Sequence, residues 1–181
     1  MKQRLLPHYG ERTIPVEMAV IHCSAFPLEK CVEIWDEYKV SPHYAIDENG
    51  EIIQLVDENQ KAYHAGKGFW RGRRGDMNEG SIGVELVNMS LGQEPGSYPS
   101  AQIAALTILL QKLIKKYGIS AQNIVGHSDI PHLLNNVYPS GDESLLQGER
   151  FISSLQNISQ ACRRLKSRSE QKYADVIQRA R

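Results

Sequence analysis

The sequence predicts an α/β fold, a single domain in which a central mixed β-sheet is flanked by helices. Apolar runs of strand length alternate along the chain with two stretches of helical periodicity, and this alternation is typical of a sheet covered by helices. The chain has 181 residues, of which 41% are apolar and 23% are charged. That length and composition suit one folded domain with a buried core.

The predicted strands are short and apolar, and polar or turn-forming residues bound them. They fall at residues 16–23, 43–46, 51–56, 81–87 and 123–126. The second and third strands flank Asp47–Gly50, a turn sequence that ends in glycine.

Two helices are predicted from spacings of three and four residues between apolar side chains. The first covers residues 28–38, and Pro42 prevents it from continuing. The second covers residues 100–117 and stops at Gly118, a residue type common just after a helix. The expected core face of the second helix consists of Ile103, Leu106, Leu110, Leu113 and Tyr117.

Residues 57–80 form a long segment that is rich in glycine and arginine and has no clear periodicity. Long segments without regular structure are uncommon inside compact domains, and they are usually functional. We therefore expect a functional loop here.

Charge and cysteine content exclude several classes of protein. The formal net charge of zero argues against a whole-protein electrostatic grip on nucleic acid or an anionic membrane. No apolar run is long enough to span a membrane, and residues 1–15 lack the apolar core of a secretory signal. Three cysteines do not form a disulfide framework. We expect a cytoplasmic monomer that binds neither nucleic acid nor membrane, unless a leader has been removed from the chain.

Three ionisable residues in apolar strands are the candidates for chemistry. His22 and His127 end two predicted strands, and strand ends of one sheet meet on a common rim. Either histidine alone could be a hydrogen-bonded core residue, but two in matching contexts suggest zinc, which imidazole commonly binds. Glu85 could face solvent, or it could face the cleft as a general base with a raised pKa. A zinc cleft at the strand ends is therefore expected.

Six ordered motifs resemble the type-2 N-acetylmuramoyl-L-alanine amidases, a family that includes cell-wall-recycling amidases and T7-type lysozymes and is related to peptidoglycan recognition proteins. They are His22–Ala25, Ser41–Tyr44, Tyr63–Gly66, Trp70–Gly72, Asn78–Leu86 and Gly126–Ile130. The resemblance covers about residues 16–130. It implies a zinc-dependent hydrolase that cleaves the amide bond between N-acetylmuramic acid and L-alanine in peptidoglycan or its muropeptide fragments.

The resemblance also implies residue roles. His22 and His127 take the places of two zinc ligands, and Glu85 takes the place of the catalytic glutamate. Four residues fall where the family lines its substrate cleft: His64, Trp70, Arg71 and Asn78. Two alternatives stay open, because His64 could instead brace the glycine-rich segment and Trp70 could pack beneath it. His43 is expected to pack or to orient a strand.

The resemblance fails after Pro131. The family places a lysine eight residues after its second histidine and a zinc-binding aspartate ten residues after it, but here Asn135 and Val137 stand at those positions. Asp142 is the third ligand that we predict, and His132 is the alternative. The break coincides with a change in composition, so a reading-frame shift near codon 131 is one hypothesis.

These observations divide the chain into an N-terminal arm (1–15), an amidase domain (16–142) and a divergent, helical, basic tail (143–181). Residues 162–181 hold seven basic and two acidic side chains, which we interpret as a solvated helix face. The alternative function is a peptidoglycan-binding module that lacks its metal, or an inactivated, frameshifted amidase. Retention of Glu85 favours the enzyme, and loss of the third ligand favours the binder.

Overall fold

The computed structural model describes residues 1–89 and 98–131. The strands of its central sheet are β1 (Lys2–Gln3), β3 (Met18–Ser24), β4 (Tyr44–Ile46), β5 (Ile52–Gln54), β9 (Ser81–Val87) and β10 (Ile124–Gly126). They form a mixed six-stranded sheet in the order β1-β5-β4-β9-β3-β10. Among the strands of this sheet that the structure describes, only β4 and β5 pair antiparallel. The predicted α/β fold with a mixed sheet is confirmed.

Two small antiparallel sheets lie outside the central one. Strand β2 (Tyr9–Glu11) pairs with β6 (Gln60–Ala62), and β7 (Lys67–Trp70) pairs with β8 (Arg73–Asp76). The expectation of a segment without regular structure over residues 57–80 was therefore wrong. The N-terminal arm contributes β1 and β2 and buries Leu6 in an apolar cluster. The division of the chain at residue 15 stays a prediction.

Helix α2 (Ser100–Tyr117) covers one face of the central sheet, and it ends at Gly118, whose φ of 70° is left-handed. Its buried face is rotated from the predicted one, because Gln102, Ala105, Leu106, Leu109 and Leu113 are the buried residues. The Gln102 amide explains the rotation, since it donates hydrogen bonds to the carbonyls of Ile46 and Val87.

Helix α1 (Leu28–Glu37) packs on the opposite face, where Cys31 and Trp35 contact an apolar cluster with Ala45 and Val87. Side chains of β3 and β9 alternate between the two faces, as strand geometry requires. Ile21 and Cys23 join the α2 core, and His22 therefore points to the α1 side. Within the described ranges, no helix is long and apolar enough to cross a membrane.

Candidate active site

Three neighbouring strands bring the predicted histidines and Glu85 to one place. His22 pairs in register with Glu85, and Ile21 pairs with Gly126, which precedes His127. The rings of His22 and His127 lie 4.6 Å apart between centroids. The parallel register explains this placement, because Ile21 pairs with Gly126 on one side and with Val84 on the other, so the next residue of each strand lies at the same level of the sheet. The structure therefore brings together three side chains from distant parts of the sequence.

Glu85 is buried, with 7% of its surface exposed. Burial raises the pKa of its carboxyl to about 7, because desolvation disfavours the charged form. The Ser24 hydroxyl donates a 2.7 Å hydrogen bond to Glu85 Oε1, and this bond opposes part of the increase. A carboxyl with a pKa near neutrality is suited to general acid–base catalysis.

His64 contacts His22 directly. Its Nδ1 lies 3.0 Å from His22 Nε2, and its Nε2 lies 3.2 Å from the Ser81 hydroxyl. Its ring rests on Gly83, where an added Cβ would lie 2.5 Å from His64 Cγ. Burial and the neighbouring His22 hold the pKa of His64 well below its usual range, so the ring is neutral near pH 7.

Asn78 is buried, and it fixes the backbone beside His64. Its Oδ1 accepts hydrogen bonds from the backbone N–H groups of His64 and Ala65, at 2.8 Å and 2.7 Å. The carbonyl of Ala65 in turn lies 3.4 Å from His127 Nε2. The structure thus gives Asn78 a structural role, and the predicted contact with substrate stays a prediction.

Trp70 and Arg71 lie on the β7–β8 hairpin. The Trp70 indole donates to Asn123 Oδ1 at 3.3 Å, and its ring packs against a buried cluster that includes Met77 and Ile130. Arg71 is exposed in the turn of the hairpin, with a positive φ of 45°. These contacts support the packing alternative for Trp70. Substrate binding by Trp70 and by Arg71 stays a prediction.

His43 is fully buried and serves the backbone. Its Nδ1 accepts a 3.0 Å hydrogen bond from the Gly83 N–H, and desolvation lowers the pKa of its ring to about 3. Arg12 lies 2.9 Å from His43 Nε2 and donates to the carbonyls of Gln60 and Ser81. These contacts agree with the expectation that His43 orients a strand.

The donor chemistry of this site suits zinc, but the described residues supply only part of a ligand set. His22 and His127 offer two imidazoles at close range. Over residues 1–89 and 98–131, no group of three His, Cys, Asp or Glu side chains is placed to hold a metal. The predicted third ligand, Asp142, and its alternative, His132, lie outside the described residues.

A sequence model of N-acetylmuramoyl-L-alanine amidases matches residues 12–140. The chain belongs to this family. The matched region contains all the residues that form the cluster around His22, and it extends past Pro131.

Individual amidases are similar over the same region. The chain is 35% identical over 127 residues to the N-acetylmuramoyl-L-alanine amidase AmiD of Escherichia coli, an alignment that covers 64% of this chain and 46% of AmiD. It is 40% identical over 115 residues to the 1,6-anhydro-N-acetylmuramyl-L-alanine amidase AmpD of Enterobacter cloacae, covering 63% of this chain and 59% of AmpD. The match thus spans about half the length of these relatives.

Solved amidase structures share the fold. Escherichia coli AmiD in complex with anhydro-N-acetylmuramic acid-L-Ala-D-γ-Glu-L-Lys superposes with a TM-score of 0.56 at 33% identity, covering 70% of this chain and 52% of AmiD. AmpDh3 of Pseudomonas aeruginosa in complex with anhydromuramic pentapeptide gives a TM-score of 0.58 at 31% identity, covering 75% and 58% of the two chains.

Two residues of this site were missed by sequence reasoning. Ser24 lies two positions after His22, and strand alternation alone would have placed both on one face. Ser81 stands four residues before Glu85, so the same rule would have placed it on the Glu85 face of β9. Their hydrogen bonds to Glu85 and His64 depend on side-chain geometry that sequence spacing does not specify.

Proposed function

We propose that this protein is a zinc-dependent amidase that hydrolyses the bond between N-acetylmuramic acid and L-alanine. The observation that carries the proposal is the placement of a buried carboxyl with a pKa of about 7, Glu85, in register with a paired histidine, His22. Membership of the family supports the reaction class. The relatives named as anhydro-muramyl amidases support muropeptide fragments as the substrate.

His22 and His127 would hold the zinc ion, together with a third ligand that we propose to be Asp142. The ion would supply Lewis-acid polarisation of the carbonyl and would favour ionisation of water. Glu85 accepts a proton from the attacking water, and the water oxygen bonds to the lactyl carbonyl carbon of the muramic acid. The carbon–nitrogen bond then breaks, and Glu85 returns the proton to the leaving nitrogen of L-alanine. The products are a muramic acid carboxylate and a peptide with a free amino group.

The proposal extends to the cellular setting. We propose a cytoplasmic monomer that acts on soluble muropeptides. The net charge of zero supports only the proposal that the protein has no whole-protein electrostatic grip on nucleic acid or membrane. His64, Trp70, Arg71 and Asn78 stay the proposed substrate-cleft residues.

A binding module without metal is the second candidate, and one sequence observation favours it. Asn135 and Val137 stand where the family has its lysine and its third ligand. Such a module would hold muropeptide without turnover, and an inactivated, frameshifted amidase would behave similarly.

Glu85→Gln tests the proposed enzyme. The substitution keeps the shape of the side chain and removes the base, so turnover of a defined muropeptide should fall by roughly 100-fold or more. Binding of the muropeptide, measured by calorimetry, should survive, and zinc content should be measured on both proteins. Wild-type protein that binds the muropeptide but neither holds zinc nor cleaves it would establish the second candidate.

A further inference from the structure

The guanidinium of Arg12 joins the two ends of one long segment of the chain. Its Nε donates to the carbonyl of Glu58 at 3.1 Å, and its Nη2 donates to the carbonyl of Gln60 at 2.8 Å. At the other end, its Nη1 donates to the carbonyl of Glu79 at 2.5 Å, and its Nη2 donates to the carbonyl of Ser81 at 3.0 Å. One half-buried side chain of the N-terminal arm therefore holds both the start of β6 and the start of β9.

We call residues 61–78, which lie between these two anchor points, the cleft segment. Connecting segments are more mobile than the sheet that they leave, so the placement of their side chains depends on how their ends are fixed. The cleft segment contains the β7–β8 hairpin and all the proposed substrate-cleft residues, which are His64, Trp70, Arg71 and Asn78.

The carboxylate of Glu79 makes a second link between the arm and the cleft segment. Thr13 donates to its Oε2 from both the backbone N–H and the hydroxyl, at 3.2 Å and 2.9 Å, and Lys61 donates to its Oε1 at 2.5 Å. The hydrogen bond from Lys61 lowers the pKa of this carboxyl to about 2, so the group is ionised at neutral pH. The arm, β6 and the start of β9 thus meet around Arg12 and Glu79.

The carbonyls around Arg12 match the shape of a guanidinium. This group carries five N–H donors in a rigid planar fork, whereas a lysine ammonium has three donors on a flexible stem. Because the acceptors are main-chain carbonyls, the contacts specify the path of the backbone at both anchor points. The guanidinium also lies 2.9 Å from Nε2 of His43, whose Nδ1 accepts from the Gly83 N–H of β9.

We propose that Arg12 is a positioning residue that fixes both ends of the cleft segment and thereby sets the affinity of the protein for its substrate. The proposal rests on the proposed function for the identity of that substrate, a muropeptide. Arg12 acts through the backbone of the cleft segment, whereas Glu85 is held by the sheet, where β9 pairs with β3 and β4. Loss of the Arg12 side chain should therefore weaken substrate binding and leave the chemical step largely intact.

Amide hydrogen exchange of the free protein tests the anchoring without any substrate. In Arg12→Ala, the backbone amides of the cleft segment should exchange roughly 10-fold faster than in wild type, because loss of hydrogen bonds to a charged donor has an effect of that size. Leu6→Ala is the matched control, since Leu6 also belongs to the arm but lies in the apolar cluster with Leu55. Chemical denaturation of both variants gives their loss of global stability, for which the exchange rates are corrected.

After that correction, Leu6→Ala should leave exchange in the cleft segment unchanged. Equal acceleration in the two variants, or no acceleration in Arg12→Ala, would overturn the proposal. If Arg12→Ala does not fold, Arg12→Lys takes its place, because an ammonium keeps the charge but offers three hydrogens to four carbonyls. The expected acceleration is then smaller and lies in the same segment.

Kinetics with a defined muropeptide test the consequence for substrate. Arg12→Ala should raise KM roughly 10-fold or more and change kcat little, because misplaced binding groups lose affinity while the base stays in place. A fall in kcat at unchanged KM would contradict the positioning role. Wild-type protein that neither binds nor cleaves the muropeptide would refute the proposed function, and hydrogen exchange would still decide whether Arg12 anchors the cleft segment.

Discussion

The environment of Glu85 determines the pH range in which the proposed base is ionised. Burial raises the pKa of its carboxyl to about 7, and the hydrogen bond from Ser24 counteracts this by stabilising the charged form. A base must be deprotonated to accept a proton, so activity should fall as the pH drops through 7. The acid limb of the rate profile therefore reports on the Ser24 contact.

Ser24→Ala should move that acid limb to higher pH. Loss of a hydrogen bond to a charged group raises the pKa of the carboxyl further, and the limb should shift by on the order of one pH unit. Turnover near pH 7 should fall, and it should recover at higher pH. Ser24→Thr keeps the hydroxyl and serves as the control. The measurement is kcat/KM against pH, and a profile unchanged in Ser24→Ala would show that the hydrogen bond does not tune Glu85.

At the scale of elements, successive residues of β9 face opposite sides of the sheet and have different roles. Ile82, Val84 and Leu86 pack in the core that includes α2, whereas Gly83 lies beneath the ring of His64. The His64 ring leaves no room for a side chain at this position, because an added Cβ would lie 2.5 Å from His64 Cγ. Its backbone N–H also holds the buried ring of His43.

Gly83→Ala should therefore destabilise the protein by roughly 1–3 kcal/mol, the usual cost of overpacking a buried position. The same substitution in a His64→Ala background should cost much less, since the ring that it would strike is absent. The four proteins form a double-mutant cycle, measured by chemical denaturation without metal. Equal costs in the two backgrounds would mean that His64 does not rest on Gly83.

Elements with a strong apolar periodicity were predictable from the sequence. Elements in which polar residues or glycines occupy structural positions were not. The bounds of α2 and β9 were predicted correctly, because capping and apolar continuity act locally. The core face of α2 was predicted with a rotation, because pattern reasoning treats a glutamine as solvent-facing, whereas Gln102 finds two backbone acceptors. The β7–β8 hairpin was missed because glycine and arginine hide the alternation of its strands.

The cluster of His22, Glu85 and His127 was predictable for a different reason. Each is an ionisable residue in an apolar run, and sheet geometry gathers strand ends. The involvement of His64 as a contact of His22 was not resolved by sequence, since the same residue could have lined the cleft or braced the loop. The 3.0 Å distance between the two rings depends on side-chain geometry that sequence spacing does not specify.

At the scale of the whole molecule, the proposed zinc site takes its third ligand from the part of the chain beyond Pro131. If Asp142 supplies the third ligand, Asp142→Ala should lose both zinc and activity, because two imidazoles alone offset none of the ion's charge. Thermal unfolding of the metal-free protein should stay unchanged. Metal analysis of purified protein measures this, and His132→Ala is the matched control. Stoichiometric zinc that neither substitution disturbs would require a different ligand.

The alternation along β3 and β9 also bears on how such a chain changes over generations. Ala19, Ile21 and Cys23 face the core that includes α2, whereas His22 and Ser24 face the opposite side of the sheet, where Ser24 donates to Glu85. A substitution on one face of the sheet changes few contacts on the other face, because the sheet backbone separates the two sets of side chains. A lineage can thus exchange a chemical group at one set of positions while selection on folding continues to act on the alternate positions of the same two strands.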